Sequence, residues 1–354
     1  MRAFTYDALA GRVVFGNGVV SQVAEEIDRL QKKRALLIVT GSAARLVPRL
    51  TERLGERLAG VFNEVVQHIP APTVEKALAT AVDTRSDCIV TVGGGSAVGL
   101  GKALSLKIDA PIIAIPTTFS GSEMTPIYGI TSEGHKRTGR NMRVLPRTVI
   151  YDPELIYSLP PSIAASSGMN ALAHCAEAFY GKLASPITDL LAEEGSRALA
   201  QGLTGIVQNP QNHESYDMAL YGAYLAGAVL AVVGTGLHHR ICHVLGGHYN
   251  LPHAETHAVM LPYVISYNYK AAPAAMARLA RGLEAEDAVK GCFDLVARLN
   301  TPRSLADLGM AEDSLAEATR LVVESQAWNP RPVMFNDIEQ LFQAAYHGQP
   351  VYLA

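Results

Sequence analysis

The first half of the chain alternates short, continuous apolar runs with segments whose apolar residues recur at helical spacing. The apolar runs have the length and β-branched content of strands buried on both faces, and they lie at 13–15, 35–40, 61–66, 88–92, 112–115 and 148–151. The helical segments lie at 19–31, 74–83 and 96–107. This alternation predicts an α/β domain with a doubly wound, mostly parallel, Rossmann-like sheet.

The period changes after Leu159-Pro160-Pro161, where helical spacing replaces the short apolar runs. Helices are predicted at 166–184, 188–207, 216–233, 237–245 and over most of 271–327. We therefore expect two domains, an α/β domain over 1–160 and an all-helical domain over 161–354. A chain of 354 residues is long for a single core, which agrees with this division.

Six of the eleven histidines fall in one stretch of the helical half, LHHRICHVLGGHYNLPHAETHAVMLP at 237–262. His239 and His243 are four residues apart, so one helix face can direct both at a metal ion, a proton relay or a bound anion. For His238 and His248, a hydrogen-bonded core histidine is the better interpretation. Several histidines at ligand-like spacing nevertheless favour a functional site here.

The segments around this stretch bring further candidates. Gly246-Gly247 is expected to end the helix, and Pro252 to start another whose first turn carries His253. Earlier in the chain, SGMNALAH places an amide and an imidazole one helical turn apart. Four side chains could therefore form one constellation: Asn170, His174, His239 and His253.

The composition is that of a soluble globular protein, with 49% hydrophobic and 18% charged residues and a formal net charge of -3. No basic excess attracts nucleic acid or anionic lipid. The first twelve residues lack the apolar core of a signal peptide, and we expect a cytoplasmic protein that does not span a membrane. The four cysteines contain no CxxC pair and are expected to be buried thiols.

A glycine-rich turn, Gly93-Gly94-Gly95-Ser96, lies directly between a predicted strand and a predicted helix. Glycines there let the backbone approach a ligand closely, and the helix N-terminus offers free N–H donors to a phosphate. The turn predicts a pyrophosphate site, with simple chain reversal as the alternative. It is not the GxGxxG fingerprint of ordinary dinucleotide-binding folds.

Two further segments follow predicted strands at the edge of the sheet where ligands bind in such folds. Thr117 and Thr118, with the SGSE segment at 120–123, follow one strand, and a Ser/Thr-rich turn explains them equally well. After the second strand, where an acid often holds the ribose of NAD, the chain has Gly41 and Ser42 instead. With no carboxylate to repel a 2′-phosphate, we expect NADPH as well as NADH to bind.

At these motifs the sequence resembles the iron-containing (group III) alcohol dehydrogenase superfamily, and within it the maleylacetate reductases. The resemblance covers almost the whole chain, and it is carried by VVFGNG, GGGSAVGLGKALSL, PTTFSGSEMTPIYG, VIYDPELIYSLP, SGMNALAHCAEAFY, the histidine stretch and NPRP. It implies the fold shared with dehydroquinate synthase, in which an α/β domain binds the dinucleotide and an all-helical domain carries the catalytic and substrate-binding residues.

In the metal-dependent members of this superfamily, an aspartate and three histidines hold Fe²⁺ or Zn²⁺. The positions that match here are Asn170, His174, His239 and His253. The amide in place of the carboxylate removes a charge and is expected to weaken a divalent site, although three histidines alone can hold zinc. The change fits the reductases, which are taken to work without a metal, so we expect none.

The resemblance also implies roles for individual residues. Those expected at the coenzyme are Gly94, Gly95 and Ser96 at the pyrophosphate, Thr117 and Thr118 beside the nicotinamide, and Lys136 near a ribose. His243 is the candidate proton donor, with a helix-packing histidine as its alternative. The residues expected to orient the substrate carbonyl are Asn170, His174, His239 and His253. His257 is expected to support these residues or to lie at the surface.

The leading hypothesis is reduction of maleylacetate, and of 2-chloromaleylacetate, to 3-oxoadipate in aromatic-compound degradation. Hydride would add to a carbon–carbon double bond conjugated to a ketone, and the resulting enolate would be stabilised and protonated by histidines. The alternatives are a metal-dependent alcohol dehydrogenase and a nucleotide-binding protein without catalysis. The cation expected at the substrate's two carboxylates stays open among Arg140, Arg143, Arg240 and Arg331. Family resemblance suggests a homodimer.

Overall fold

The computed structural model describes residues 4–9, 11–67, 69–132 and 135–352. The chain forms two compact units, one of Leu9–Ser158 and one of Leu159–Ala354 together with Met1–Ala8. The division expected from the sequence placed all of 1–160 in the first unit, which is wrong for the N-terminal residues. Residues 4–8 have neither helix nor strand, so no periodicity could indicate which unit they contact, whereas Tyr6 lies near Tyr224 of the helical unit.

The first unit is built on a six-stranded parallel sheet in the order β1-β8-β5-β4-β2-β3. The strands are β1 Arg12–Phe15, β2 Ala35–Val39, β3 Leu58–Phe62, β4 Cys88–Gly93, β5 Ile112–Pro116 and β8 Thr148–Tyr151. The helices are α1 Val23–Arg29, α2 Val47–Leu54, α3 Ala71–Asp83 and α4 Gly95–Lys107. The predicted doubly wound α/β class is confirmed.

Both faces of this sheet are buried, as its continuous apolar runs require. Along β2, Leu37 and Val39 belong to a core that includes residues of α1 and α2. The alternate residues Leu36 and Ile38 belong to a second core with residues of α3 and α4. Because successive side chains of a strand point to opposite faces, a strand between two helical layers must be apolar at every position.

Three details of this unit differ from the sequence prediction. The strand expected at 61–66 is β3, which begins three residues earlier and lies at the sheet edge with Val61 exposed. This strand is apolar throughout, but Ala59 and Gly60 have low strand propensity, so its first residues gave no strand signal. The prediction also missed α2 and a two-stranded antiparallel hairpin of β6 Ile127–Ser132 and β7 His135–Arg140, whose second strand is polar.

The second unit is all-helical in its described residues, as expected. Its helices are α5 Pro161–Tyr180, α6 Pro186–Gln208, α7 His213–Val233, α8 Leu237–Tyr249, α9 His253–Asn268, α10 Pro273–Gly282, α11 Ala288–Leu299, α12 Leu315–Glu324 and α13 Phe335–His347. The prediction missed α13 and merged α10, α11 and α12. A short turn, 283–287, separates α10 from α11, and a longer segment, 300–314, separates α11 from α12. The longer segment contains the buried apolar residues Leu305 and Met310, so the apolar pattern did not mark the break.

Helix α5 lies in the core of this unit and is buried at almost every position after Ala164. Helices α6 and α7 pack closely, since a Cβ on Gly202 would lie only 2.5 Å from the backbone nitrogen of Ala219. By length and hydropathy α7 could also cross a membrane, but 61% of its apolar window is buried inside the protein. Its apolar character is therefore explained by its packing against α5 and α6.

Candidate functional site

The glycine turn lies between the end of β4 and the start of α4 in the sheet unit. Gly93 has a φ of +146°, and a Cβ there would lie 2.5 Å from Oγ1 of Thr40. A Cβ on Gly94 would lie 2.9 Å from Oγ1 of Thr118. No described side chain caps the N-terminus of α4, so its first N–H groups are available to a ligand. The turn can therefore hold a phosphate, as its sequence suggested.

The other residues expected at the coenzyme lie on neighbouring segments of the same unit. Thr117 directly follows β5, and its backbone N–H donates to the carbonyl of Gly93 at 3.0 Å. Gly41 and Ser42 are exposed at the start of a short 3₁₀ helix that follows β2. The structure thus places Thr117 and Thr118 beside the glycine turn. Lys136 belongs to β7, and its side chain lies outside the described residues.

In the helical unit, the histidines of three helices form one cluster. The ring centroids of His174 and His239 are 4.7 Å apart, those of His239 and His257 4.7 Å, and those of His253 and His257 4.6 Å. The ring of His243 lies 6.3 Å from those of both His239 and His253. Side chains from α5, α8 and α9 therefore meet, although they are up to 83 residues apart in sequence. Asn170 is buried on α5, one turn before His174.

Helix α8 differs from its sequence prediction at its C-terminal end. It continues through Gly246-Gly247 and ends at Tyr249, and the next residue, Asn250, has a left-handed conformation with φ of +54°. Glycine in a helix interior costs roughly 1 kcal/mol relative to alanine, which burial of Val244 and Leu245 against α9 and α12 can offset. The next helix, α9, begins at His253 after Pro252, as expected.

Three further histidines have different environments. His238 is buried, and its Nε2 lies 2.8 Å from Nδ1 of His257, which agrees with its interpretation as a hydrogen-bonded core histidine. His248 is exposed, so the same interpretation was wrong for it. His257 is fully buried and touches three other rings, so it supports the cluster and does not lie at the surface.

Glu177 is a member of the site that the sequence analysis did not identify. This buried carboxylate on α5 accepts hydrogen bonds from the backbone N–H groups of Gly236 at 2.9 Å and His238 at 2.7 Å. Its Oε2 also lies 2.6 Å from Nδ1 of His239. One signal could have revealed it: Glu177 is the only Asp, Glu, Lys or Arg of helix α5.

Burial determines the charge state of the cluster. It lowers the pKa of His174, His239 and His257 well below 6.5, and neighbouring histidines lower each further. Burial raises the pKa of Glu177, whereas the imidazole of His238 and the backbone N–H groups act in the opposite direction. Since three donors converge on Glu177, we assign it as ionised and the proton of neutral His239 to Nδ1. Nε2 of His239 then carries a lone pair.

Several buried polar atoms of the cluster have no hydrogen-bond partner among the described residues. They are Asn170 Oδ1, His174 Nδ1, His238 Nδ1, His239 Nε2 and His257 Nε2. Burying such atoms unpaired costs free energy, so a bound molecule with polar groups, or water, is expected to contact them.

A divalent metal ion fits these residues poorly. His238, His239 and His257 have ligand atoms within 4.8 Å of one another, but His238 and His257 already hydrogen-bond each other. Both carboxylate oxygens of Glu177 are engaged, and Asn170 contributes a neutral amide. Among the described residues of the cluster, no carboxylate is therefore free to balance the charge of an ion.

The four arginines considered for the substrate carboxylates lie in different places. Arg331 is engaged, since it contacts Asp337 at 3.0 Å and stacks on the Tyr267 ring at 4.2 Å. Arg140 and Arg143 belong to the sheet unit and are exposed. Arg240 is exposed on α8, between His239 and His243, and is the one arginine of the four on a histidine-bearing helix.

Two protein-family models match this chain over most of its length. The model described as "Iron-containing alcohol dehydrogenase" matches residues 10–153. The model described as "Fe-containing alcohol dehydrogenase family, C-terminal" matches residues 164–346. The first match covers the glycine turn, and the second covers every histidine of the cluster.

Individual relatives agree with these matches. The maleylacetate reductase of Burkholderia cepacia is 47% identical over 348 residues, which cover 98% of this chain and 99% of that protein. The maleylacetate reductase of Sphingobium indicum is 44% identical over 98% of both chains. The crystal structure of maleylacetate reductase from Rhizobium sp. strain MTP-10005 has a TM-score of 0.96 at 45% identity, and the match covers 99% of this chain and 100% of that one.

Proposed function

The chain belongs to the iron-containing alcohol dehydrogenase family, and we propose that within this family it catalyses the NAD(P)H-dependent reduction of maleylacetate to 3-oxoadipate. Its relatives at 43–47% identity over nearly the full chain bear this substrate in their names. Membership in the family and these relatives make the protein an oxidoreductase. The alternative, a metal-dependent dehydrogenase of a small alcohol, is not favoured.

The observation that carries the metal-free form of this proposal is Asn170. It occupies the position of the aspartate that the resemblance assigns to metal binding, and its buried Oδ1 is unpaired. A neutral amide among neutral imidazoles gives a pocket of hydrogen-bonding groups with no negative charge to balance a divalent ion, which weakens a metal site. Such a pocket suits a reaction in which charge develops on a substrate oxygen and is stabilised by hydrogen bonds.

The coenzyme site proposed is the glycine turn with the segments that flank it. Gly94, Gly95 and Ser96 would hold the pyrophosphate at the N-terminus of α4, and Thr117 and Thr118 would lie beside the nicotinamide. When bound, the reduced nicotinamide supplies the hydride. Gly41 and Ser42, at the end of β2, carry no negative charge, so the proposal includes both NADH and NADPH.

The histidines would act on the enolate that forms when hydride adds to the alkene carbon distal to the ketone. The charge then lies on the ketone oxygen, and the remaining alkene carbon needs a proton. His174 and His253 are the proposed donors to the oxygen. His239 has its proton on the side of Glu177, so its Nε2 accepts a hydrogen bond instead of donating one. The sequence analysis expected His239 to orient the substrate carbonyl, and the proposed mechanism restricts it to accepting a hydrogen bond.

His243 is the proposed proton donor to carbon. It is exposed, one turn beyond His239 on α8, and its ring lies 6.3 Å from that of His253. An exposed imidazole can recover its proton from solvent after each turnover, which the buried rings of the cluster cannot do as readily. Arg240, three residues before His243, is the proposed contact for a substrate carboxylate.

The test is oxidation of NADH by purified protein with maleylacetate after exhaustive chelation. The proposal expects turnover to persist. Loss of turnover on chelation, with recovery on addition of Fe²⁺ or Zn²⁺, would overturn the metal-free form. Absence of turnover with maleylacetate, both before and after metal addition, would overturn the substrate assignment. We further propose a cytoplasmic homodimer with no nucleic-acid partner, for which light scattering of the purified protein should give twice the 37.8 kDa chain mass.

A further inference from the structure

A buried lysine in the sheet unit has no role in the proposed reaction. Lys102 lies on α4, two turns after the glycine turn, and its side chain is fully buried. Its Nζ lies 2.6 Å from the carbonyl oxygen of Ser122, 2.9 Å from Oγ1 of Thr125 and 2.7 Å from the carbonyl oxygen of Ile127. All three of its protons thus have acceptors in the chain segment that follows β5.

The same segment is held from a second side by a buried carboxylate. Glu123 is fully buried, and its Oε1 accepts a hydrogen bond from the hydroxyl of Tyr151 on β8 at 2.8 Å. Its Oε2 accepts from Oγ of Ser120 at 3.1 Å. Lys102 and Glu123 attract each other electrostatically. The segment Thr117–Thr125, called the hydroxyl loop below, is therefore anchored to both α4 and β8.

The hydroxyl loop also forms one wall of the glycine turn. Thr118 Oγ1 lies 2.9 Å from the position a Cβ on Gly94 would take, and Ser120 Oγ lies 3.6 Å from the corresponding position on Gly95. Thr117 and Thr118, proposed to lie beside the nicotinamide, therefore belong to the loop that Lys102 anchors, and the same loop lines the glycine turn proposed for the pyrophosphate. A shift of the loop would change the width of the space between the loop and the glycine turn.

Burying a charged lysine and a carboxylate costs free energy. Burial, opposed in part by the attraction of Glu123, lowers the pKa of Lys102 to about 7. Apolar residues of similar volume often replace such pairs without loss of stability. Stability therefore does not explain this network. A loop that must keep one conformation beside a ligand site does explain it, because polar anchors select a single geometry.

We propose that Lys102 is a positioning residue that holds the hydroxyl loop in the conformation that receives the coenzyme. This inference rests on the proposed function, since it takes the glycine turn as a nicotinamide coenzyme site. It assigns a role to Lys102, and through Lys102 to Glu123 and Tyr151, that is separate from the histidine chemistry.

The test compares Lys102→Met with the matched control Lys107→Met, which changes a half-exposed lysine on the same helix. NADH binding is measured by fluorescence titration without substrate, and hydrogen exchange of residues 117–125 is measured without coenzyme. We expect Lys102→Met to weaken NADH binding roughly 10- to 100-fold and to speed loop exchange. We expect kcat at saturating NADH to change much less, and the control to match the wild type.

Two further variants keep the inference testable if Lys102→Met leaves Glu123 unbalanced and folds poorly. The double variant Lys102→Met/Glu123→Gln removes both charges. The variant Tyr151→Phe removes only the tyrosine hydroxyl that donates a hydrogen bond to Glu123. Both should fold and show the same two effects, with the smaller effect for Tyr151→Phe. Wild-type NADH affinity and loop exchange in all these variants would overturn the inference. Tight NADH binding by the wild type without turnover of maleylacetate would instead overturn the proposed function alone.

Discussion

Oε2 of Glu177 lies 2.6 Å from Nδ1 of His239, and both side chains are buried. With Nδ1 engaged in this contact, the unprotonated Nε2 of His239 is one of the cluster's buried atoms that have no hydrogen-bond partner among the described residues. Carboxylate partners of this kind fix both the tautomer and the orientation of an imidazole. The tautomer and the orientation of His239 within the cluster therefore depend on Glu177, which touches no substrate in the proposed mechanism.

Replacing Glu177 with glutamine should disturb His239 without removing it. The amide N–H₂ can donate to Nδ1, which moves the imidazole proton to Nε2 and leaves one fewer acceptor for the backbone N–H groups. We expect Glu177→Gln to lower kcat about 100-fold and to leave NADH affinity unchanged. Steady-state kinetics with NADH titration check this, with exposed Glu317→Gln as the control. Wild-type kcat in Glu177→Gln would show that the contact does not matter for turnover.

Removal of the proposed proton donor should affect chemistry and not binding. We expect His243→Gln to lower kcat by about 100-fold or more, because general acid catalysis contributes factors of this size. NADH affinity should stay the same. The matched control is His248→Gln, an exposed histidine five residues further along α8. If NADH affinity fell in parallel with kcat, His243 would be a binding residue, and if neither changed, another group would be the proton donor.

Restoring the carboxylate at position 170 should create a metal site. The Oδ1 of Asn170 is buried without a partner, so Asn170→Asp places a negative charge among neutral imidazoles that an ion can balance. We expect Zn²⁺ affinity to rise at least about 10-fold relative to the wild type, measured by calorimetry and by elemental analysis after dialysis. The control is Asn209→Asp at the exposed C-terminus of α6. About one ion retained per wild-type chain would contradict the prediction.

A side chain on Gly94 should narrow the proposed phosphate cradle. Its Cβ would lie 2.9 Å from Oγ1 of Thr118, closer than normal contact, on the side of the turn where the ligand is expected. We expect Gly94→Ala to raise the KM for NADH roughly 10- to 100-fold with a smaller effect on kcat. Gly247→Ala is the control, since its Cβ meets no described atom within 4 Å. Unchanged NADH binding in Gly94→Ala would place the pyrophosphate elsewhere.

The buried histidines should make the protein sensitive to acid. In the folded state, burial lowers the pKa of four imidazoles, those of His174, His238, His239 and His257. The pKa of His238 falls to about 3. In the unfolded chain the same groups take up protons near pH 6.5. Their contribution to stability is therefore complete above about pH 6.5 and is lost as the pH falls below it.

Each such proton lowers the free energy of unfolding by about 1.4 kcal/mol per pH unit below this point, so four give about 5 kcal/mol per unit. The raised pKa of Glu177 acts in the opposite direction and offsets part of this loss. Urea unfolding at pH 7.5, 6.5 and 5.5 measures the slope. His238→Gln should reduce the slope by about one proton, whereas exposed His213→Gln should not. A free energy of unfolding that stays the same between pH 6.5 and 5.5 would contradict the burial argument.

Much of the fold followed from local patterns. Strands buried on both faces, such as β2 and β4, must be apolar at every position, and such runs are visible in a sequence. Strand β7, with the sequence HKRTGR, shows no apolar run, and the edge strand β3 is apolar throughout but contains Ala59 and Gly60, which have low strand propensity. Helix α8 continues through Gly246-Gly247, because packing outweighed a local propensity of about 1 kcal/mol for each glycine.

The sequence by itself determined the kinds of chemical group available: a glycine turn before a helix, a row of histidines, and an amide at the position where the resemblance implies a carboxylate in the metal-dependent members. Only the tertiary structure decided which groups are buried and what they contact. It paired Glu177 with His239 across 62 residues of chain, left Nε2 of His239 unpaired, and anchored the hydroxyl loop to Lys102. Spacing along a helix fixes direction within one element, whereas contacts between distant elements depend on how the cores pack.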